Sequence, residues 1–179
     1  MKAFCLACLL LLTHSPGWAE SSPDNGATTP KLDNARLGEL IAQIAGDFEG
    51  KPGYWEFDLE GYQTLVITDE NFDRMRIIVP IKKIDGIDGN ELLRMMQANF
   101  DSALDARYSI ARGVLWSAFI HPLSTLTARQ FIDGLAQSVN LAATHGTTYS
   151  SGALIFSDGD SKGEQNKHYK SIIDRENSI

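Results

Sequence analysis

The sequence predicts an α+β domain, one antiparallel sheet packed by helices in the order α-βββ-α-ββ-α. Three observations predict it. Apolar residues recur at helical spacing in three segments. Runs that alternate apolar and polar residues fill the gaps, three before the second helix and two after it. The links within each group of strands are short and rich in Gly, Asp and Asn, which suits hairpins rather than crossovers. Runs of strands divided by single helices belong to the α+β class.

The first helix follows Asp33, a capping residue, and Leu37, Leu40, Ile41, Ile44 and Phe48 share its apolar face. The Pro and Gly of "EGKPGY" end it. In "YWEFDLEG" Trp55, Phe57 and Leu59 alternate with Glu56, Asp58 and Glu60, and "YQTLVITD" follows across a turn at Gly61. In "RMRIIVPIKKI" Met75, Ile77, Val79 and Ile81 lie on one face. Pro80 cannot donate to a ladder, so this strand should lie at an edge or carry a bulge. Asp88 and Glu91 start the second helix, with Leu93, Met96, Phe100 and Leu104 as its expected buried stripe. Strands at 107–112 and 114–120 meet at Gly113. Thr127 and Gln130 open the third helix, Phe131, Leu135, Val139 and Ala142 form its buried face, and Gly146 is its expected C-cap. There is no internal repeat.

Both ends of the chain read differently. "MKAFCLACLLLLTHSPGWAE" places Lys2 before an apolar run of about ten residues, too short for a helix to span a bilayer. Gly17-Trp18-Ala19 then sets small residues for cleavage, the pattern of a secretory signal peptide. The expected divisions are a signal peptide at 1–19, cleaved after Ala19, a disordered linker at 20–31, the α+β domain at 32–157 and a polar C-terminal tail at 158–179. Cys5 and Cys8 leave with the leader, which removes thiol nucleophiles and thiolate metal sites from the exported chain. Loss of Lys2 leaves 15 basic residues against 23 acidic ones, a formal charge of −8, with no basic run. That balance argues against nucleic acid and against an anionic membrane as partners.

Candidate chemistry is sparse. His121 ends the last strand before Pro122 with no paired base or nucleophile nearby in sequence. His145 falls in the last turn of the third helix, where a cation suits the dipole, and His168 lies in the tail. No two histidines have zinc-ligand spacing. Asp158, Asp160 and Gly163 match a calcium loop, but Lys162 and Tyr169 occupy ligand positions. "TDENFD" and "DGIDGNE" gather carboxylates where turn and cap chemistry already requires them. Seryl elbows and phosphate-cradling glycine loops are absent. The better lead is apolar. The strand 114–120 is apolar on both faces, so it should be central or meet a partner on its second face. Leu115 and Phe119, with Val66 and Ile78, are the expected partner surface if helices cover only the other side.

Two segments carry a family resemblance. "GVLWSAFIHPLSTLTARQFIDGLAQSV" resembles the apolar strand and Pro-Leu pair before the last helix of the type III secretion chaperone-like fold, which includes proteins labelled bacterial sensory transduction regulators. "DRMRIIVPIKKIDGIDGNELLRMMQANF" resembles their third strand and second helix. The likeness runs from Leu37 to Ala143 and is one of pattern, without catalytic residues. It implies a small non-enzymatic module, often dimeric, that holds extended segments of a partner. The export signal departs from it, since secretion chaperones work in the cytoplasm. The sequence thus points to a non-catalytic periplasmic module that binds a protein partner or itself, without metal or cofactor, and without membrane contact after cleavage. The alternatives are a hydrolase using distributed carboxylates and His121, and a carrier of small apolar ligands.

Overall fold

The structure, a computed structural model, describes residues 32–152 and 167–176. The expected leader, its cleavage point, the linker at 20–31 and most of the calcium-like loop lie outside these residues.

The elements are α1 (Asn34–Ala45), β1 (Glu49–Lys51), β2 (Tyr54–Leu59), β3 (Tyr62–Asp69), β4 (Arg74–Lys83), α2 (Gly89–Asp101), β5 (Arg107–Ala111), β6 (Val114–His121), α3 (Ala128–Ala143) and α4 (Lys167–Glu176). A single 3-10 turn, Leu123–Thr125, leads into α3. The six strands form one sheet in the order β1-β2-β3-β4-β6-β5, antiparallel throughout. The expected α+β architecture is therefore present, with β1 and α4 added to it.

Local chemistry sets the turns. Glu60-Gly61 and Arg112-Gly113 both have two successive positive φ angles, 58° and 83°, and 52° and 75°. That is the two-residue hairpin whose twist matches the flanking strands. Pro80 sits in an interior strand, not at an edge, and a register shift between Pro80 and Lys82 accommodates it. The shift turns Lys82 to the helix side, where its Nζ lies 2.6 Å from Glu91 on α2.

The caps follow the sequence. Asp33 accepts from Arg36 N at 2.9 Å, Asp88 from Glu91 N at 2.8 Å, and Thr127 forms a reciprocal box with Gln130. Helix α3 ends earlier than expected, with Thr144 as C-cap, and Gly146 falls in the turn beyond it.

The helices pack on one face of the sheet. Trp55, Phe57, Val66, Ile77, Val79 and Phe119 meet α1 and α3 in the main core. Each such large side chain contributes about 1.5–3 kcal/mol by leaving water. Gly134 permits the closest approach, since a Cβ there would stand 2.8 Å from the Phe119 ring. A second, smaller cluster joins α2 to β5 through Met95, Ala98, Tyr108 and Leu115.

The described part of the expected polar tail is a helix. Ile172 of α4 is fully buried in the main core, Arg175 donates to Ile44 O at 2.8 Å, and Ser171 donates to Glu60 at 2.9 Å. One buried side chain among charged neighbours gave the sequence too weak an apolar pattern to announce it.

Candidate functional site

Helix α2 differs from the stripe expected of it. Its buried residues are Met95 and Ala98. Leu93 is 58% exposed, Met96 48% and Phe100 91%. The periodicity was right and the orientation opposite, because Met95 and Ala98 are the residues small or flexible enough to seat against β5.

Polar clamps hold α2 in this pose. Asn99 bonds both backbone groups of Tyr108, accepting from its N at 2.7 Å and donating to its O at 3.1 Å. The side chain thus replaces a neighbouring strand at the sheet edge. Ser102 donates to Tyr149 O at 2.6 Å. Tyr108 donates to Leu141 O at 2.9 Å, and burial raises its pKa. His145 packs edge-on against Tyr108 and Tyr149. Its Nε2 lies 3.1 Å from Glu91 Oε1, without the alignment of a hydrogen bond. Burial first, and Lys82 next, hold its pKa below the ordinary imidazole value, while Glu91 opposes them. His145 therefore sits just past the end of α3 as a group that resists protonation, contrary to the cation expected there.

The outer side of α2 is an apolar surface. Leu92, Leu93, Met96 and Phe100 face solvent, and Ile110 of β5 is exposed beside them. A groove of about 210 Å³ runs between α2 and β5, lined by Leu92, Met95, Met96, Tyr108, Ile110 and Leu115. Strand β5 is an edge of the sheet. A helix normally turns its apolar stripe to a core, so a stripe facing water marks a contact surface. The sequence held the signal in Leu93, Met96 and Phe100, but spacing alone assigns a stripe to the core by default.

The expected partner surface breaks up. Val66, Leu115 and Phe119 are buried under helices, at 0%, 1% and 5% exposure. Ile78 alone of the four lies on the uncovered side. Register explains the difference, because Val66 pairs with Ile77 and Leu65 with Ile78, so Val66 and Ile78 point to opposite faces. Strand β6 is interior as expected, and its other side, with Trp116, Ala118 and Ile120, faces away from the helices.

His121 lines a polar cleft of about 380 Å³ with Asp105, Arg107 and Asp133. Its Nδ1 contacts Pro122 O at 2.7 Å. Both carboxylates have other partners. Asp133 accepts from Tyr169 at 2.8 Å, and Asp105 accepts from Gln137 at 3.3 Å. Among the described residues, no Ser, Thr or Cys side chain lines the cleft. The acids of "TDENFD" and "DGIDGNE" serve backbone roles: Asp69 accepts from Asn71 N at 3.0 Å, and Asp88 caps α2. Asp73 accepts from Ser124 N at 2.6 Å and from its hydroxyl at 2.8 Å, bonds that hold its carboxyl below the usual range. Among the described residues, no group of three His, Cys, Asp or Glu is placed to hold a metal ion.

No family model matches the chain, and no curated protein matches it. Solved structures that it is similar to, at low identity, include the following three. One is of the ExsC–ExsE complex, at 14% identity over 62% of this chain and 92% of that one, with a TM-score of 0.48. Another is of the HopA1–SchA chaperone–effector complex, at 11% over 63% and 94%, with a TM-score of 0.47. The third is of the Yersinia pestis type III secretion chaperone SycH with a stable fragment of YscM2, at 12% over 63% and 98%, with a TM-score of 0.49.

Proposed function

We propose that the protein is a non-catalytic module of the periplasm that binds a polypeptide partner on the α2–β5 surface. The observation that carries this reading is the apolar stripe of Leu93, Met96 and Phe100, held outward by polar clamps on the inner side of α2. An apolar segment laid in the groove against Met96 and Ile110 would remove that surface from water. The edge of β5 offers backbone donors and acceptors beside it. Export is supported by the Lys2 region, the short apolar run and the small residues before Ala19.

A photo-crosslinking side chain placed at position 100 in cells tests the surface, with the exposed position 39, on the outer side of α1, as control. Adducts from position 100 and none from position 39 are expected. Equal yields from the two positions would sink the reading. For export, the chain in a periplasmic extract should begin at Glu20; recovery only from the cytoplasm with Met1 in place would refute it.

A second reading, a hydrolase using His121, has the polar cleft in its favour. It predicts that His121→Ala abolishes turnover of an ester or glycoside panel. The engaged state of Asp105 and Asp133 favours binding over catalysis.

A further inference from the structure

A cleft of about 330 Å³ opens where β3 turns into β4, lined by Ile67, Asp69, Phe72, Arg74 and Arg76 among others. It shares no residue with the α2–β5 groove. Arg74 and Arg76 stand two apart on β4, so both project from the sheet face away from the helices, opposite to buried Met75 and Ile77. The register then sets what surrounds them. Arg76 pairs with Ile67 on β3 and with Ile120 on β6, and Ile67 pairs in turn with Tyr54 on β2. A guanidinium therefore rises from an apolar row, where a cross-strand carboxylate would have answered its charge.

Neither arginine is matched by an acid. Arg76 has no hydrogen bond or ion pair among the described residues. Arg74 donates one N–H to Asp73 O at 2.9 Å, which leaves most of its donor fork open. The adjoining acids are held by other donors. Asp69 accepts from Asn71 N at 3.0 Å and from Phe72 N at 3.2 Å, and Asp73 is bonded through both oxygens to Ser124. These bonds also pin the turn on each side of Phe72, whose ring stays 75% exposed. On a chain with a formal charge of −7, two arginines without acid partners beside an uncovered aromatic ring stand apart.

We propose that this cleft binds a small carboxylate that carries an apolar body. A guanidinium fork takes a carboxylate in two parallel hydrogen bonds, and the exposed fork of Arg76 is free to do so with Arg74 beside it. The body of the ligand lies against Phe72 and Ile67, removing their surface from water. The volume falls in the range of small-molecule clefts, about 300–1,000 Å³. An anionic membrane is disfavoured as the occupant, because exposed Glu70 adjoins Phe72 in the same turn.

Hydrocinnamate, an aromatic ring joined to a carboxylate, is the probe. Titrated into the purified protein, it should move the amide NMR signals of Phe72, Arg74 and Arg76 to saturation. Its neutral amide, with the same body, should bind about tenfold more weakly or less, since it lacks the charge-assisted bonds. Inorganic phosphate, a charge without a body, should also bind more weakly than hydrocinnamate. Arg76→Gln should lower the affinity for hydrocinnamate by about tenfold. Phe72→Ala should lower it by about threefold. Arg36→Gln, which removes the same charge from exposed α1, should leave it unchanged. Urea midpoints equal to the parent's show that the variants are folded. Absence of saturable shifts at the three residues, equal affinity for acid and amide, or binding that survives Arg76→Gln would each overturn the proposal. Equal losses from Arg76→Gln and Arg36→Gln would reduce the effect to overall charge and overturn the site.

Discussion

Helix α3 buries eleven of its sixteen residues, whereas α2 buries two of thirteen. Both begin with a side-chain cap, and both carry apolar residues at helical spacing. What separates them is where the sheet lets them lie. Helix α3 crosses the centre of the sheet, where Gly134 brings its backbone down on Phe119. Two of its polar residues are buried there and bonded: Gln137 accepts from Asp105 N at 3.1 Å and Ala106 N at 3.2 Å, and Asn140 donates to Ser150 O at 2.8 Å. Helix α2 sits over the β5 edge, anchored by Asn99 and Ser102, with Leu93 and Phe100 left outside. One helix supplies stability and the other supplies surface.

The largest expected effect tests that division directly. Phe131→Ala on α3 should cost about 3–5 kcal/mol in urea unfolding. Phe100→Ala on α2, the same chemical change, should stay within about 0.5 kcal/mol, as at other exposed sites. Similar costs for the two would erase the distinction.

Next come the caps. Thr127→Ala and Asp88→Ala should each cost about 1 kcal/mol, because each leaves an N3 amide without its acceptor. A silent Asp88→Ala alongside a costly Thr127→Ala would mean that α2 frays freely from the sheet.

The smallest effect is the pH dependence of the α2–α3 junction. His145 faces Lys82 of β4, Glu91 of α2, Tyr108 of β5 and Tyr149. Its folded-state pKa is held below the ordinary value. The unfolded chain therefore takes up the proton first once pH falls below about 6.5. The stability contribution is present above that pH and is lost as pH falls through the folded value. Urea midpoints should drop on acidification from neutrality, and His145→Gln should reduce the drop. A midpoint that instead rises on acidification would mean that Glu91 outweighs burial and Lys82.

Much of the architecture was legible in the residues. Asp33, Asp88 and Thr127 marked the helix starts, Gly61 and Gly113 the hairpins, and Pro80 an edge or a bulge, of which the structure has the bulge. These are local signals, set by backbone geometry within a few residues. The faces of the elements were less legible. Alternation sorts a strand into two sides without saying which side receives helices, so Val66, Leu115 and Phe119 read as surface although they are core. Helix α4 escaped notice for the same reason. Glu60 bonds Ser171 and Arg175 across more than a hundred residues, and no spacing records such a contact. The outward stripe of α2 was visible as a stripe, but its exposure depends on Met95 and Asn99 gripping β5.

Met95 and Met96 offer the most direct measurement, since they are neighbours in sequence with 0% and 48% exposure. Thioether oxidation follows solvent access. In the purified protein, peroxide followed by peptide mass spectrometry should convert Met96 well before Met95. In intact cells a bound partner should slow Met96, leaving Met95 unchanged. Equal rates for the two methionines in purified protein would contradict the orientation of α2. Equal Met96 rates in both settings would contradict the claim that this surface is occupied.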